Sequence, residues 1–214
     1  MKQTKGVPHV VTDSAPKKPG EIILVRHGET EWSLTGQHTG TTDIPLTAHG
    51  EEQARAVGVA LAGRTFSQVL VSPRIRAQRT AELIGYGAEA SIEPKLAEWD
   101  YGAYEGKTTP EIVAERGPWN LWTDGVPAGV TPGETSQDVQ RRALVVLSRV
   151  RADVLAGNDV LLVAHAHIFR ALAVAWVELP SSAGQILTLS TSTISALGYE
   201  HGQPVIVQWN APAL

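Results

Sequence analysis

The sequence predicts an α/β fold, a three-layer sandwich with a mostly parallel central sheet and helices on both faces. Three observations carry this. Strand and helix patterns alternate from Glu21 onward. A short β-branched run, Ile22-Ile23-Leu24-Val25, reads as a buried strand. The segments between strands place apolar residues at helical spacing, as in Val139, Ala143, Val146, Val150 and Val154.

Residues 1–20 combine lysines, prolines and few large apolar side chains, which predicts a flexible N-terminal tail before a single domain over 21–214. After the first strand a Gly/Thr-rich loop runs to Ile44-Pro45. A helix then starts near Thr47, with Ala54, Val57 and Leu61 on one face. A second strand, Gln68–Val71, leads into Ser72-Pro73, where Ser is a good N-cap and Pro a good first helical residue for a helix bearing Arg74, Arg76 and Arg79. A short strand near 91–93 precedes an irregular Gly/Tyr/Trp segment over 98–106, a minor helix over 109–116 and the aromatic Pro118-Trp119-Asn120-Leu121-Trp122. Residues around 99–134 are expected to form a cap-like insertion. The longest helix covers 135–156, a strand follows over 159–164, and a buried helix spans 168–177. A hairpin over 193–199 and 205–208 turns at His201-Gly202.

Bulk properties narrow the function. At 214 residues, 43% hydrophobic, the chain can bury a full core. Its net charge of -4 disfavours nucleic acid and acidic membranes as partners, since both are held by an excess of Lys and Arg. The lack of cysteine excludes disulfides, thiolate metal sites and a Cys nucleophile. Neither a signal-peptide pattern nor a run of membrane-spanning length is present, so a cytoplasmic location is expected, with homo-oligomerisation left open.

Chemistry concentrates where strands end. The first stops at Arg26-His27-Gly28, the second at Ser72 with Arg76 one turn onward, and the 159–164 strand at His165. Arginine forks two donors onto phosphate oxygens, imidazole can attack phosphorus, and Gly28 allows close backbone approach. Brought together, these ends form an oxyanion cradle for a phosphoryl group, to which Glu98 adds the acid that a leaving alkoxide needs.

With Arg26-His27-Gly28-Glu29-Thr30 and Trp32, Ser72-Pro73-Arg74-Ile75-Arg76-Ala77 with Thr80-Ala81, Glu98 with Tyr101-Gly102 and Glu105-Gly106, and Ala164-His165, the chain resembles the histidine phosphatase superfamily of phosphoglycerate mutases and related phosphatases. The resemblance runs from about Ile22 to at least Arg170. It is most similar to the branch holding fungal sedoheptulose-1,7-bisphosphatase and broad-specificity bacterial acid phosphatases, through Thr30-Glu31-Trp32-Ser33, Gly36-Gln37-His38-Thr39-Gly40, residues 98–106 and residues 118–122. The resemblance implies His27 as the phosphorylated nucleophile, Arg26, Arg76 and His165 as phosphoryl ligands, and Glu98 as proton donor and then activator of water. It implies substrate contacts at Ser33, His38, Thr39, Gly40, Ser72, Tyr101, Ala166 and Arg170, with neither metal nor cofactor. Ala166 stands where the family has Gly, and His38 where the fungal enzyme has a phenol.

The expected activity is metal-independent hydrolysis of small phosphomonoesters, sugar phosphates above all, through phosphohistidine. Two alternatives stand beside it. A cofactor-dependent mutase is disfavoured because the family's basic insertion is lacking: residues 105–135 carry only Lys107 and Arg116 as Lys or Arg. A non-catalytic phosphate-ligand module would need neither His27 nor Glu98. Asp100 and Glu105 are rivals of Glu98 for the acid role, His165 and His167 could be read as metal ligands, Trp119 and Trp122 as either packing or a lid, and His167 as a helix-start residue.

Overall fold

The computed structural model describes residues 18–213. The expected tail therefore lies outside the described residues as far as position 17; Gly20, at its end, is buried and donates its N–H to the Val154 carbonyl at 2.8 Å.

Six strands form one sheet: β1 (Ile22–Arg26), β2 (Gln68–Val71), β3 (Ala90–Ile92), β4 (Val160–Ala164), β5 (Thr193–Glu200) and β6 (Gln203–Pro212), in the order β3-β2-β4-β1-β5-β6. The first four in that order are parallel; β5 is antiparallel to β1, and β6 to β5. Alternation along the strands divides the apolar side chains between two cores. Ile22, Leu24, Leu70 and Leu162 join one core with Val139, Val146 and Val150 of α6 (Ser136–Leu155) and Ile168 and Phe169 of α7 (Ala166–Trp176). Ile23, Val25, Val69, Val71, Leu161 and Val163 join the other with Ala54 and Val57 of α2 (Ala48–Ala60) and Ala77 and Ala81 of α3 (Ile75–Leu83). Helices thus leave adjacent strand ends toward opposite faces, which opens the crevice where such sheets place ligands.

The expected helix starts near Thr47 and Thr135 hold, and the expected Ser72 cap does not. Thr47 caps α2 by accepting from Gly50 N at 2.9 Å, and Thr135 caps α6 in a capping box with Asp138. Ser72 does not cap α3. That helix starts at Ile75, whose N–H goes to Asp43 Oδ1 at 3.1 Å; the Ser72 hydroxyl accepts from His165 at 2.6 Å and from Arg74 N, ahead of the helix, at 3.3 Å. The hairpin turns as expected, with positive φ at both His201 (50°) and Gly202 (79°), the requirement of a type I′ turn.

Two short helices, α1 (Glu31–Thr35) and α5 (Leu121–Asp124), occupy stretches read as loop and aromatic segment; α4 (Thr109–Arg116) falls where expected. Thr30 and Ser33 cap α1 reciprocally, and a left-handed Gly36 ends it. Gly28 serves packing more than ligand access: a Cβ there would lie 2.3 Å from the Gly50 carbonyl oxygen, so its bare backbone lets the first turn of α2 seat against the β1–α1 loop. None of the helices among the described residues is long and apolar enough to cross a membrane.

Candidate active site

Strand register sets the site. Arg26 lies level with Ala164, and Val71 level with Val163, so the next residues, His27, His165 and Ser72, meet at the carboxyl edge of the sheet. His27 N–H donates to Ala164 O at 2.9 Å, tying the two ends together. Above them opens a cavity of about 310 Å³ lined by Arg26, His27, His38, Glu98, Tyr101 and Arg170 among others. A roomier cleft of about 590 Å³ at Ser190–Thr193 and Asn210 lacks such converging cations, so chemistry rather than size selects the site.

The hydrogen bonds assign the ring protons. His27 Nδ1 is 2.7 Å from the Gly28 carbonyl, which only accepts, so Nδ1 carries the proton and Nε2 carries the lone pair. Burial, reinforced by Arg26 and Arg76, holds His27 well below the usual imidazole range, which keeps that lone pair free. His165 Nδ1 accepts from Arg76 Nε at 3.2 Å, so its Nε2–H donates to Ser72 Oγ at 2.6 Å. The two imidazole centroids are 5.1 Å apart.

The two strand-end arginines differ. Arg26 donates through Nη1 to the Leu189 carbonyl at 2.5 Å, while its buried Nε–H has no partner among the described residues. Such an orphaned donor beside the nucleophile suits a phosphoryl oxygen. Arg76 is fully buried and donates to His165, Thr42 O and Thr39 O. Arg76, His165, Ser72 and Gly40 thus lie one layer beneath the cavity wall, where Gly40 N donates to Glu105. Ser33, His38, Thr39, Tyr101, Ala166 and Arg170 are in the wall itself. Ala166 is simply the first residue of α7, a helical position that needs no glycine.

Glu98 sits at the N-terminus of α7. Its Oε1 accepts from Trp99 N and Ile168 N, both at 2.9 Å, and its Oε2 from His167 N at 3.0 Å, leaving one acceptor direction on Oε2. Burial works against the charge, but the backbone N–H groups at the start of α7, that of His167 among them, outweigh it and hold the carboxyl well below the usual range. The rival carboxylates are committed elsewhere. Asp100 accepts from Gly102 N, Gly133 N and the Thr131 hydroxyl, and Glu105 from Gly40 N and Thr42 N, so both hold loops rather than face the cavity.

Sequence reasoning missed two supports. Arg142 of α6 forms a double bridge to Glu134 (2.7 and 2.8 Å) and donates to the carbonyls of Lys95, Ala97 and Glu98, fixing the backbone that carries Glu98. No local pattern marks an arginine whose partners are mostly some 45 residues away. His167, expected as a helix-start residue or one that supports the site from behind, lines the cavity and bonds Tyr101 Oη at 2.7 Å. His165 and His167 face different partners, and the described residues hold no cluster of three or more metal-ligating side chains. Trp119 and Trp122 pack outside the cavity wall, with Arg170 stacked 4.9 Å over Trp122.

Comparison with known proteins identifies the family. The family model described as the histidine phosphatase superfamily, branch 1, matches residues 22–212. An acid phosphatase of Mycobacterium tuberculosis is 38% identical over 183 residues, covering 85% of this chain and 87% of the relative. Sedoheptulose 1,7-bisphosphatase of Saccharomyces cerevisiae is 34% identical over 193 residues, covering 77% and 70%. Bacterial relatives at 31–32% identity bear the name probable phosphoglycerate mutase. The solved structure of open reading frame Rv3214 from M. tuberculosis superimposes with a TM-score of 0.84 at 36% identity, covering 91% of this chain and 99% of that one. The chain belongs to the histidine phosphatase superfamily, branch 1, and is a phosphatase of that family.

Proposed function

We propose that the protein hydrolyses small phosphomonoesters, sugar phosphates foremost, without a metal and through phosphohistidine on His27. The observation that carries this is the pinned His27 Nδ1–H, which leaves Nε2 as an unprotonated nucleophile beside the orphaned Arg26 Nε–H. In the first step the Nε2 lone pair forms an N–P bond as the P–O bond to the leaving group breaks, and that oxygen takes a proton from Glu98 Oε2. In the second, water attacks phosphorus, its proton passes to Glu98, and the N–P bond breaks to release phosphate. Arg26 neutralises the phosphoryl oxygens, while Arg76 and His165 support it from beneath, Arg76 reaching the phosphoryl group only by releasing the Thr39 and Thr42 carbonyls.

The names of relatives favour a second reading, a mutase. Its carboxylate clamp finds little support here, since Lys107, one of two cations in the relevant stretch, is paired with Glu115 at 2.6 Å. Phosphate release from a panel of sugar phosphates and phosphoglycerates, with no metal and no bisphosphate added, tests the proposal. Turnover of several sugar phosphates is expected; none on any phosphomonoester refutes it.

A further inference from the structure

Above the nucleophile, two imidazoles with opposite hydrogen-bonding character face one cavity. His38 donates Nδ1–H to the Lys107 carbonyl at 2.7 Å, so its Nε2 is an acceptor. His167 is the reverse. Its Nδ1 lies 2.7 Å from Tyr101 Oη, and that phenol, 2% exposed, has no other hydrogen-bond partner among the described residues. A buried hydroxyl keeps its proton in a hydrogen bond, so Tyr101 donates, His167 Nδ1 accepts, and His167 Nε2 carries a proton. Burial raises Tyr101 well above the ordinary phenol range and lowers both histidines, which keeps all three neutral in these roles. Neither Nε2 has a protein partner among the described residues, and both side chains line the cavity.

The geometry is that of a notch. The imidazole planes are within 17° of parallel with centroids 6.5 Å apart, and the Tyr101 ring stands across both at 70° and 80°. Trp119 packs edge-on behind His38, and Trp99 edge-on against His167, so neither ring is free to swing. Each histidine is thus held in orientation and in tautomer by its partner, the Lys107 carbonyl taking the His38 backbone N–H as well.

We propose that His38 and His167 act together as a hydroxyl-reading pair, selecting leaving groups that carry a hydroxyl beside the phosphorylated carbon. This rests on the phosphatase reading above. A hydroxyl accepts from His167 and donates to His38 at once. An alkyl chain leaves both Nε2 atoms unpaired in a partly dry site, and an ammonium satisfies only His38. Leaving buried polar groups unpaired is how a site rejects an analogue that lacks a hydroxyl.

The test compares glycerol 3-phosphate with propyl phosphate, alkyl esters that differ in their hydroxyls. The preference is read as the ratio of kcat/KM values, so that losses common to both cancel. It is read again as the ratio of Kd values measured by calorimetry on His27→Asn protein, which requires no turnover. The wild type is expected to prefer glycerol 3-phosphate by about 10-fold or more. One neutral hydrogen bond is worth ~0.5–1.5 kcal/mol, so His38→Phe and His167→Phe, which keep the ring packing, should each cut the ratio by about 3- to 10-fold. Tyr101→Phe, which frees the His167 tautomer without emptying the site, should also lower it and serves if His167→Phe fails to fold. A wild-type ratio near one, or a ratio kept within about twofold by His38→Phe or by both His167→Phe and Tyr101→Phe, overturns the pair. Absence of turnover on both esters counts against the phosphatase reading alone, and the Kd ratios then decide the pair.

Discussion

Replacing Glu98 by glutamine separates its two roles, because the substitution keeps the shape and removes the charge. The carboxylate accepts three backbone N–H groups, from Trp99, His167 and Ile168. A glutamine has one acceptor oxygen, so at least one of these donors is left facing an amide N–H. A hydrogen bond to a charged group contributes ~1.5–3 kcal/mol, which sets the expected loss of stability. For a chain of this size that lowers Tm by roughly 3–10 °C. The sign with pH follows from the depressed carboxyl. The stabilisation is fully present above the unfolded carboxyl pKa of about 4.3 and disappears as pH falls through the lower folded value, so wild type and variant converge in acid.

In the proposed mechanism, Glu98 is ionised in the free enzyme at neutral pH, as its depressed carboxyl requires, and acquires its proton when the phosphoryl dianion arrives. The incoming negative charge pushes the carboxyl up, and Arg26 offsets part of that rise. The alkaline limb therefore belongs to kcat, which reports the complex. Glu98→Gln should lose ~10²–10⁴-fold in kcat on an alkyl sugar phosphate and lack that limb. It should lose far less on p-nitrophenyl phosphate, whose phenolate departs unprotonated. Rates with both substrates across pH 4–9, alongside thermal melts, give the comparison. Equal losses on the two substrates would refute the acid role and leave Glu98 as an anchor for α7.

Three further outcomes are expected. Chelation with EDTA should leave the rate unchanged, because the Arg26 guanidinium, backed by Arg76, neutralises the phosphoryl oxygens; a loss restored by a divalent ion would make the protein a metallophosphatase. Supplied with 3-phosphoglycerate and 2,3-bisphosphoglycerate, the protein should form little 2-phosphoglycerate, and mutase turnover well above phosphate release would show that a clamp is built from other residues. Arg142→Ala leaves the Glu134 carboxylate and three carbonyls without their partner, so unfolding by urea should show a loss of about 3 kcal/mol. With the Glu98 backbone loosened, kcat on an alkyl ester should fall at least tenfold; unchanged kcat would show that Arg142 only stabilises.

The sheet and its helices were legible because their signals are local. Residues 22–25 alternate between two cores, and Val139, Ala143, Val146, Val150 and Val154 share one buried helical face. The convergence of Arg26, His27 and His165 followed from strand ends alone. What the sequence hid are contacts between distant segments. Ser72 has the chemistry of a cap, but its hydroxyl accepts from His165, 93 residues away, and α3 starts at Ile75. Glu98, Asp100 and Glu105 are alike as letters; backbone N–H groups from other loops commit the last two. The tautomers of His38 and His167 depend on a carbonyl 69 positions away and a phenol 66 positions away, which no spacing reveals.

The claim on which the rest depends is that His27 Nε2 carries the phosphoryl group. Mixing the enzyme with a substrate labelled in its phosphoryl group, quenching in alkali within the first turnover and mapping the labelled peptide by mass spectrometry tests it directly. The expected result is near-stoichiometric label on the peptide containing His27, stable to alkali and lost in acid, and absent from folded His27→Asn protein. Normal phosphate release with no label, or label on another residue, would contradict it.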